Sequence, residues 1–266
     1  MFRYLFNHHK WKPTKIEWIR AMAAVRSIEQ ERILNFAYKS DCRAALIGQL
    51  LIEKVIRNEL EVDRNEVSIS RQNGRPYLSY PKIPFDFNLS HDGHLTVLTC
   101  SKFLKTGVDV VYMRRKIGNV KDYLKRMSRV MTNSELETIL RPMNDENKLR
   151  IFYRHWCLKE AYSKTLGSGL SEEFEKIECK LGDGNVDPWC GKKIDNDKIW
   201  AFEEHVLNGD HVCAVAWHGD DARKLNDAVA TFVELTFDDL IVESRLVSTL
   251  NKINWEEYNK KSEKFF

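Results

Sequence analysis

The sequence predicts an α+β protein, on three observations. Helical patterns are followed by short strand patterns, and that order is then stated a second time, with a seam near residues 101–107. The strands come in runs rather than each alternating with a helix, which is unlike a doubly wound sheet. The chain has 266 residues, 43% hydrophobic and 30% charged, so it can bury a core without metal or disulfide staples. That length allows one large domain or two modest ones. No repeat of fixed period is present, so any duplication lies at the level of fold.

Ile16 to Ala24 and Ile28 to Phe36 read as short helices. A longer one runs from Asp41, a candidate N-cap, to about Asn58. Leu46, Ile47, Leu50, Leu51 and Val55 keep helical spacing there, with Lys54 at the stripe's edge. Val67–Ser70 alternates as a strand, and Asn73-Gly74 is a hairpin signal because both residues tolerate positive φ. Phe85–Ser90, Leu95–Cys100 and Thr106–Val111 read as three strands, expected to pair as a meander. Lys121–Val130 and Asn133–Leu140 are helical, the second capped at Thr132/Asn133. Asp145–Leu166 is the longest periodic stretch, and Gly167 stands where a helix stop belongs. Ile177–Leu181, Ile199–Val206 and His211–Trp217 read as strands. Residues 220–266 are polar and weakly periodic, and read as an extension.

Several classes fall away. No run approaches the roughly 18 apolar residues of a membrane span, and Met1–His9 lacks the apolar core of a signal peptide. Lys and Arg total 42 against 39 Asp and Glu, a net charge of +3, too close to neutral for a general nucleic-acid coat. The cysteines (Cys42, Cys100, Cys157, Cys179, Cys190, Cys213) form no C-x-x-C pair, which argues against a zinc ribbon. With no export signal, reduced thiols in the cytosol are the default expectation.

Four places offer chemistry. Gly107-Val108-Asp109-Val110 puts an acid among β-branched residues, where a buried carboxylate needs a partner or a cation. The plainer reading is a strand-end Asp accepting backbone hydrogen bonds. Phe152, Trp156, Glu160 and Lys164 rise along one side of a helix at i,i+4, drifting about 40° per step. The first two would anchor it in the core and the last two emerge at its rim, able to grip Mg²⁺ and phosphate together. The plainer reading is a surface Glu–Lys pair worth about 0.3–0.5 kcal/mol. Asn88-Leu89-Ser90-His91-Asp92-Gly93-His94 is a polar turn whose His91 suits phosphate, a metal or neither. Lys102 to Arg129 holds nine basic residues against Asp109 and Asp122, a local charge of +7. That run is a solvated helical face or a dock for an acidic partner or polyphosphate.

The order of these signals is more specific than any one of them. Asn88-Leu89-Ser90-His91, then Gly107-Val108-Asp109-Val110, then Trp156-Cys157-Leu158-Lys159-Glu160-Ala161-Tyr162-Ser163-Lys164-Thr165-Leu166-Gly167-Ser168-Gly169-Leu170 resembles the 4′-phosphopantetheinyl transferases. In particular it resembles the long, pseudo-dimeric monomers of the surfactin-synthetase-activating type, and among them an animal branch. The likeness covers most of residues 15–218.

The resemblance implies two similar α+β halves, each a small antiparallel sheet packed by helices, at 1–104 and 105–219, with 220–266 as an extension and coenzyme A in the cleft between halves. It implies transfer of the phosphopantetheine arm of coenzyme A to a carrier-protein serine, with release of adenosine 3′,5′-bisphosphate. Asp109 and Glu160 would hold Mg²⁺, Glu160 would also be the general base, and Lys164 would pair with the pyrophosphate. Arg32 and Arg71 would hold the nucleotide end, with Gly74, Arg75 and Pro76 beside the adenine. Asn88 stands in the same coenzyme A-binding turn, where Ser90 and His91 would contact the phosphates. Implied partners are acyl carrier protein, the carrier domain of a fatty acid synthase and an aminoadipate-type reductase, for a cytosolic monomer.

Two departures stand out. Val111 replaces a second acid found in many bacterial members, as in the animal branch, and leaves two protein carboxylates for the metal. Cys157 replaces a common Ala, expected to be harmless. The competing readings are a metal-dependent phosphohydrolase, built on His91, Asp92, His94 and Asp109, and a non-catalytic adaptor using the basic face.

Overall fold

The computed structural model describes residues 1–60, 66–72, 74–141, 144–167, 173–183, 188–191, 199–220, 222, 231–241 and 253–264. The elements are β1 (Phe2–Asn7), α1 (Lys15–Ala23), α2 (Ser27–Leu34), α3 (Lys39–Glu59), β2 (Ser68–Gln72), β3 (Arg75–Tyr80), β4 (Asp86–Asp92), β5 (Leu95–Ser101) and β6 (Lys105–Tyr112). There follow α4 (Val120–Met127), α5 (Asn133–Leu140), α6 (Asp145–Leu166), β7 (Glu178–Lys180), β8 (Trp189–Gly191), β9 (Trp200–Leu207), β10 (His211–His218), β11 (Val233–Glu234), α7 (Phe237–Ile241) and α8 (Ile253–Lys260). The α+β class is as predicted. The chain forms two compact units, one of Ser68–Ser90 and Thr99–Ala230, the other of Phe2–Val67, His91–Leu98 and Thr231–Phe266. Among the described residues, no helix is long and apolar enough to cross a membrane.

In the first unit, β6, β10 and β9 make an antiparallel sheet in that order, with α6 lying across β6 and β10. The boundaries of α6 match the sequence expectation. Asn144 caps its start by accepting from the Asn147 N–H, and Gly167 ends it at φ 74°. Gly107 is where strand and helix come closest. A Cβ there would lie 2.6 Å from the Thr165 nitrogen, and closer still to the Ala161 carbonyl oxygen and Thr165 Oγ1. Phe152, Leu158, Ala161, Tyr162 and Ile139 form the core under α4 and α5. β2 and β3 form a ribbon that turns at Gly74, φ 81°; Asn73 lies outside the described residues. β7 and β8 form a second ribbon, the latter not foreseen, and Cys179 and Cys190 are joined across it by a disulfide. That corrects the expectation of six reduced thiols: the antiparallel register sets the two cysteines directly opposite each other.

The expected meander is also corrected. β6 does not follow β5 into its sheet but pairs with β10. Among the described residues, its other edge is met by side chains rather than by a strand backbone. The Thr106 N–H donates to Asp86 Oδ2 at 2.8 Å, and the Val108 N–H donates to Asn88 Oδ1 at 2.9 Å. Asp86, Asn88 and Ser90 share one side of β4 because strand side chains alternate. Asp86 and Asn88 thus cover edge N–H groups that would otherwise lack partners, and Ser90 reaches the Asp109 side chain.

In the second unit, β5 is flanked by β1 and β4, and β1 pairs in parallel with β11; β4 and β5 run on into the first unit. The tight turn at Gly93, φ 54°, links β4 to β5. The long helix α3 is buried at Leu46, Ile47, Leu50, Leu51 and Val55 as its stripe predicts. Its N-cap is Tyr38, however, and Asp41 falls in the first turn, where its charge still favours the helix dipole. Residues 231–241 and 253–264 of the polar extension fold into this unit. Tyr258 of α8 stacks on Trp18 at 3.8 Å, and Glu263 takes both arms of the Arg43 fork at 2.8 Å. Arg43 is fully buried and also donates to the His8 carbonyl and to Tyr258 Oη.

Candidate active site

The sequence signals converge at one place in the first unit, where β6 runs under α6. Asp109 is 7% exposed on β6, between Val108 and Val110. A carboxylate so placed needs strong partners. Lys164 Nζ lies 2.7 Å from its Oδ1, and the Ser90 hydroxyl donates to the same oxygen at 2.8 Å. Lys164 Nζ also donates to Ser90 Oγ at 3.0 Å and to the Val108 carbonyl at 3.1 Å. The plainer readings of the sequence therefore fail for two residues. Asp109 is paired rather than capping a strand end, and Lys164 pairs with Asp109 instead of forming a surface pair with Glu160.

Glu160 sits one turn before Lys164 on α6, half-buried. Its carboxyl is pushed up to about 7, first by burial and then by the negative charge of Asp109, with Lys164 opposing. Two hard-oxygen carboxylates that repel each other beside a buried wall suit a small divalent cation. Phe152 is buried as expected. Trp156 is only partly buried, edge-on to Phe174 at 5.7 Å, so it lies at the rim of the core.

Cys157 matters more than the sequence reading allowed. Its buried thiol contacts Asp109 Oδ2 at 3.6 Å and the Val212 carbonyl at 3.5 Å. Burial and the Asp109 charge push that thiol well above its ordinary range, so it stays protonated. The signal was its i,i+3 and i,i+7 spacing to Glu160 and Lys164. Asp86 was also missed, although Asp86, Asn88 and Ser90 repeat at period two beside buried Phe87.

The other predicted residues are distributed as follows. Asn88 is buried, with its side-chain oxygen bound to β6. Arg71 is exposed and donates to the Gly74 carbonyl at 2.8 Å. Pro76 is buried in β3. The Arg75 guanidinium is held by Asp86 and by main-chain carbonyls. Arg32 and His91 belong to the second unit; Arg32 pairs with Glu29 at 2.7 Å and lies over the Phe36 ring, and His91 is exposed. Of the basic run, Arg114, Arg115, Lys116, Lys121, Lys125, Arg126 and Arg129 are exposed, while Leu124 of α4 is buried in the core.

A family model described as 4′-phosphopantetheinyl transferase, N-terminal, matches residues 9–103. A second, for the 4′-phosphopantetheinyl transferase superfamily, matches residues 105–216. The L-aminoadipate-semialdehyde dehydrogenase-phosphopantetheinyl transferase of Pongo abelii is 32% identical over 90% of this chain and 84% of its own. The protein of that name from Xenopus laevis is 30% identical over 98% of this chain and 92% of its own. A solved holo-(acyl-carrier-protein) synthase from Bacillus anthracis, in complex with CoA (3′,5′-ADP), aligns over 43% of this chain and 96% of its own, at 18% identity and a TM-score of 0.35.

Proposed function

Because the chain belongs to the 4′-phosphopantetheinyl transferase superfamily, we propose how its own residues perform that reaction. It transfers the 4′-phosphopantetheine arm of coenzyme A to a serine of apo carrier proteins and releases adenosine 3′,5′-bisphosphate. The serine oxygen forms a bond to the β-phosphorus while the bond to the nucleotide's phosphate oxygen breaks. The serine proton goes to Glu160, and the leaving phosphate takes the electron pair.

The observation that carries this assignment is the cluster of Asp109, Lys164 and Ser90 with Glu160 one turn away. Asp109 and Glu160 would hold Mg²⁺. The ion would supply positive charge to the pyrophosphate as negative charge moves onto the leaving group. Burial of Glu160 and then the charge of Asp109 raise its affinity for a proton in the metal-free protein, and a bound cation would oppose both, keeping the carboxylate ionised to accept one. Lys164, kept close to Asp109, presents its ammonium where a phosphate would compete for it.

Arg32, Arg71, Gly74, Pro76 and Asn88–His91 form the proposed coenzyme A grip, while the Arg75 side chain is taken up by Asp86 and main-chain carbonyls. Exposed Arg71 and His91 suit direct contact, and buried Asn88 suits support through β6. The halves at 1–104 and 105–219, with the extension 220–266, belong to the same proposal. Its support is that the two family matches fall on either side of residue 104. Acyl carrier protein, a fatty acid synthase carrier domain and an aminoadipate-type reductase are the proposed acceptors, steered by the exposed basic residues of 114–129. The cytosol and a monomeric state follow from the same resemblance.

Incubation with coenzyme A, Mg²⁺ and an apo carrier protein should add the mass of the arm to one serine. Glu160→Gln should abolish that addition while leaving the folded spectrum and thermal transition intact. A Glu160→Gln protein that transfers at the native rate would overturn the assignment.

A further inference from the structure

Arg75 stands where the resemblance puts a nucleotide-binding loop, yet its guanidinium points into the protein. Nη2 lies 3.0 Å from each carboxylate oxygen of Asp86, 3.1 Å from the Thr106 carbonyl and 3.4 Å from that of Phe87. Nη1 donates to the carbonyl of Lys164. One planar group thus joins the start of β3 to β4, β6 and the last turn of α6. The Lys164 carbonyl already takes the Gly167 N–H at 3.2 Å, so Arg75 adds a second, fixed donor to the cap that closes the helix. Asp86 completes the device by accepting the Thr106 N–H at 2.8 Å. Three residues on from Thr106 is Asp109, and the residue whose carbonyl Arg75 holds is Lys164 itself.

We propose that Arg75, locked by Asp86, is a positioning residue that fixes the main chain of Lys164 against β6 and so sets the Lys164–Asp109–Ser90 geometry. Arginine suits this work because its rigid fork reaches several acceptors at once, which a lysine ammonium in the same place cannot match. Burial pushes the Asp86 carboxyl above its ordinary value, and Arg75 beside it opposes that only in part. Each member of the pair therefore needs the other. The kinetic half of the inference rests on the transfer reaction; the structural half does not.

Arg75→Gln and Asp86→Asn separate this role from nucleotide binding. For Arg75→Gln, kcat should fall about 10- to 100-fold, the scale of a misplacement near 1 Å. The KM for coenzyme A, and the calorimetric Kd for adenosine 3′,5′-bisphosphate, should stay within about threefold. Asp86→Asn should move the same quantities the same way, and the double variant should be no worse than the weaker single, since the pair acts as a unit. Without any substrate, amide hydrogen exchange should accelerate at 106–109 and 163–167 while the rest of the unit stays protected. A raised KM and Kd with kcat retained would make the guanidinium a nucleotide ligand and overturn the proposal. Uniform acceleration of exchange across the unit would reduce it to general stability and also overturn it. If Arg75→Gln does not fold, Asp86→Asn carries the same measurements. A native protein that transfers to no carrier would sink the proposed function, while the exchange experiment would still decide the clamp.

Discussion

Replacing Gly107 by Ala tests whether the approach of β6 to α6 is a requirement of the site or an accident of packing. The added Cβ would meet the Thr165 nitrogen at 2.6 Å, with the Ala161 carbonyl oxygen and Thr165 Oγ1 nearer still. Comfortable contact begins near 3.5 Å, so strand and helix must part by about 1 Å. Two of the three atoms are backbone, so no rotamer change relieves the clash. Overpacking costs about 1–3 kcal/mol, and this geometry belongs at the upper end. At roughly 2–4 °C per kcal/mol for a unit of this size, the melting temperature should fall by about 6–12 °C.

The functional effect follows from the same 1 Å. Lys164 Nζ and Asp109 Oδ1 are 2.7 Å apart across the widened seam, and a parting of that size takes them beyond hydrogen-bond range. A misplacement of about 1 Å costs on the order of 10² in rate. The assay is single-turnover transfer from coenzyme A to an apo carrier, followed by mass, alongside thermal unfolding. Gly118→Ala is the control, because a Cβ there meets nothing within 4 Å, and its effect should stay within about 0.5 kcal/mol. Thr165→Ala added to Gly107→Ala should rescue only part of the loss, since the backbone contacts remain. If Gly107→Ala melts within a degree of native and transfers within twofold of its rate, the close-approach reasoning is wrong.

Two further outcomes concern stability. Hydrogen bonds from Arg43 hold the Glu263 carboxyl below its ordinary value near 4.5. Its contribution is therefore present above about pH 4.5 and lost as pH falls through the lower, folded value. Glu263→Gln should cost roughly 1–3 kcal/mol at pH 7, less than a fully buried pair because Glu263 is 37% exposed. It should also flatten the acid side of a urea-midpoint profile; an unchanged acid limb would refute the linkage. The Cys179–Cys190 bridge spans 11 residues, a loop whose closure is worth about 3 kcal/mol in the chain-entropy picture. A reductant should lower the melting temperature of the native protein but not of a Cys179→Ala/Cys190→Ala double variant. Alkylation of all six thiols in unreduced, unfolded protein would show that the bridge does not form.

What was legible in the sequence was what local chemistry decides. Asn144 and Gly167 bound α6 because a cap and a left-handed stop act within a few residues. Asp109, Glu160 and Lys164 were found because a lone acid in an apolar strand and an i,i+4 pair are visible in one dimension. The partner of Lys164 was not visible, since nothing local ranks Glu160 above Asp109, 55 residues away. α8 escaped notice because its Tyr258 is a single anchor whose worth depends on Trp18, far off in sequence.

The meander failed for a more instructive reason. Only Lys102, Phe103 and Leu104 separate β5 from β6, a link as short as a hairpin's. Loop length therefore favoured pairing, and the alternation of β6 agreed with it. The competing instruction lay in β4, as polar Asp86, Asn88 and Ser90 interleaved with Phe85, Phe87 and Leu89. A strand with one polar face ordinarily turns that face to water. Here Asn88 is 3% exposed, and the polar face serves as a row of hydrogen-bond partners for the edge of β6. The same row ends at Ser90, in contact with Asp109 and Lys164. The device that keeps β6 out of the first sheet is thus continuous with the one that holds Asp109. A substitution at Asp86 or Asn88 should disturb the edge of β6 and the chemistry beside it together.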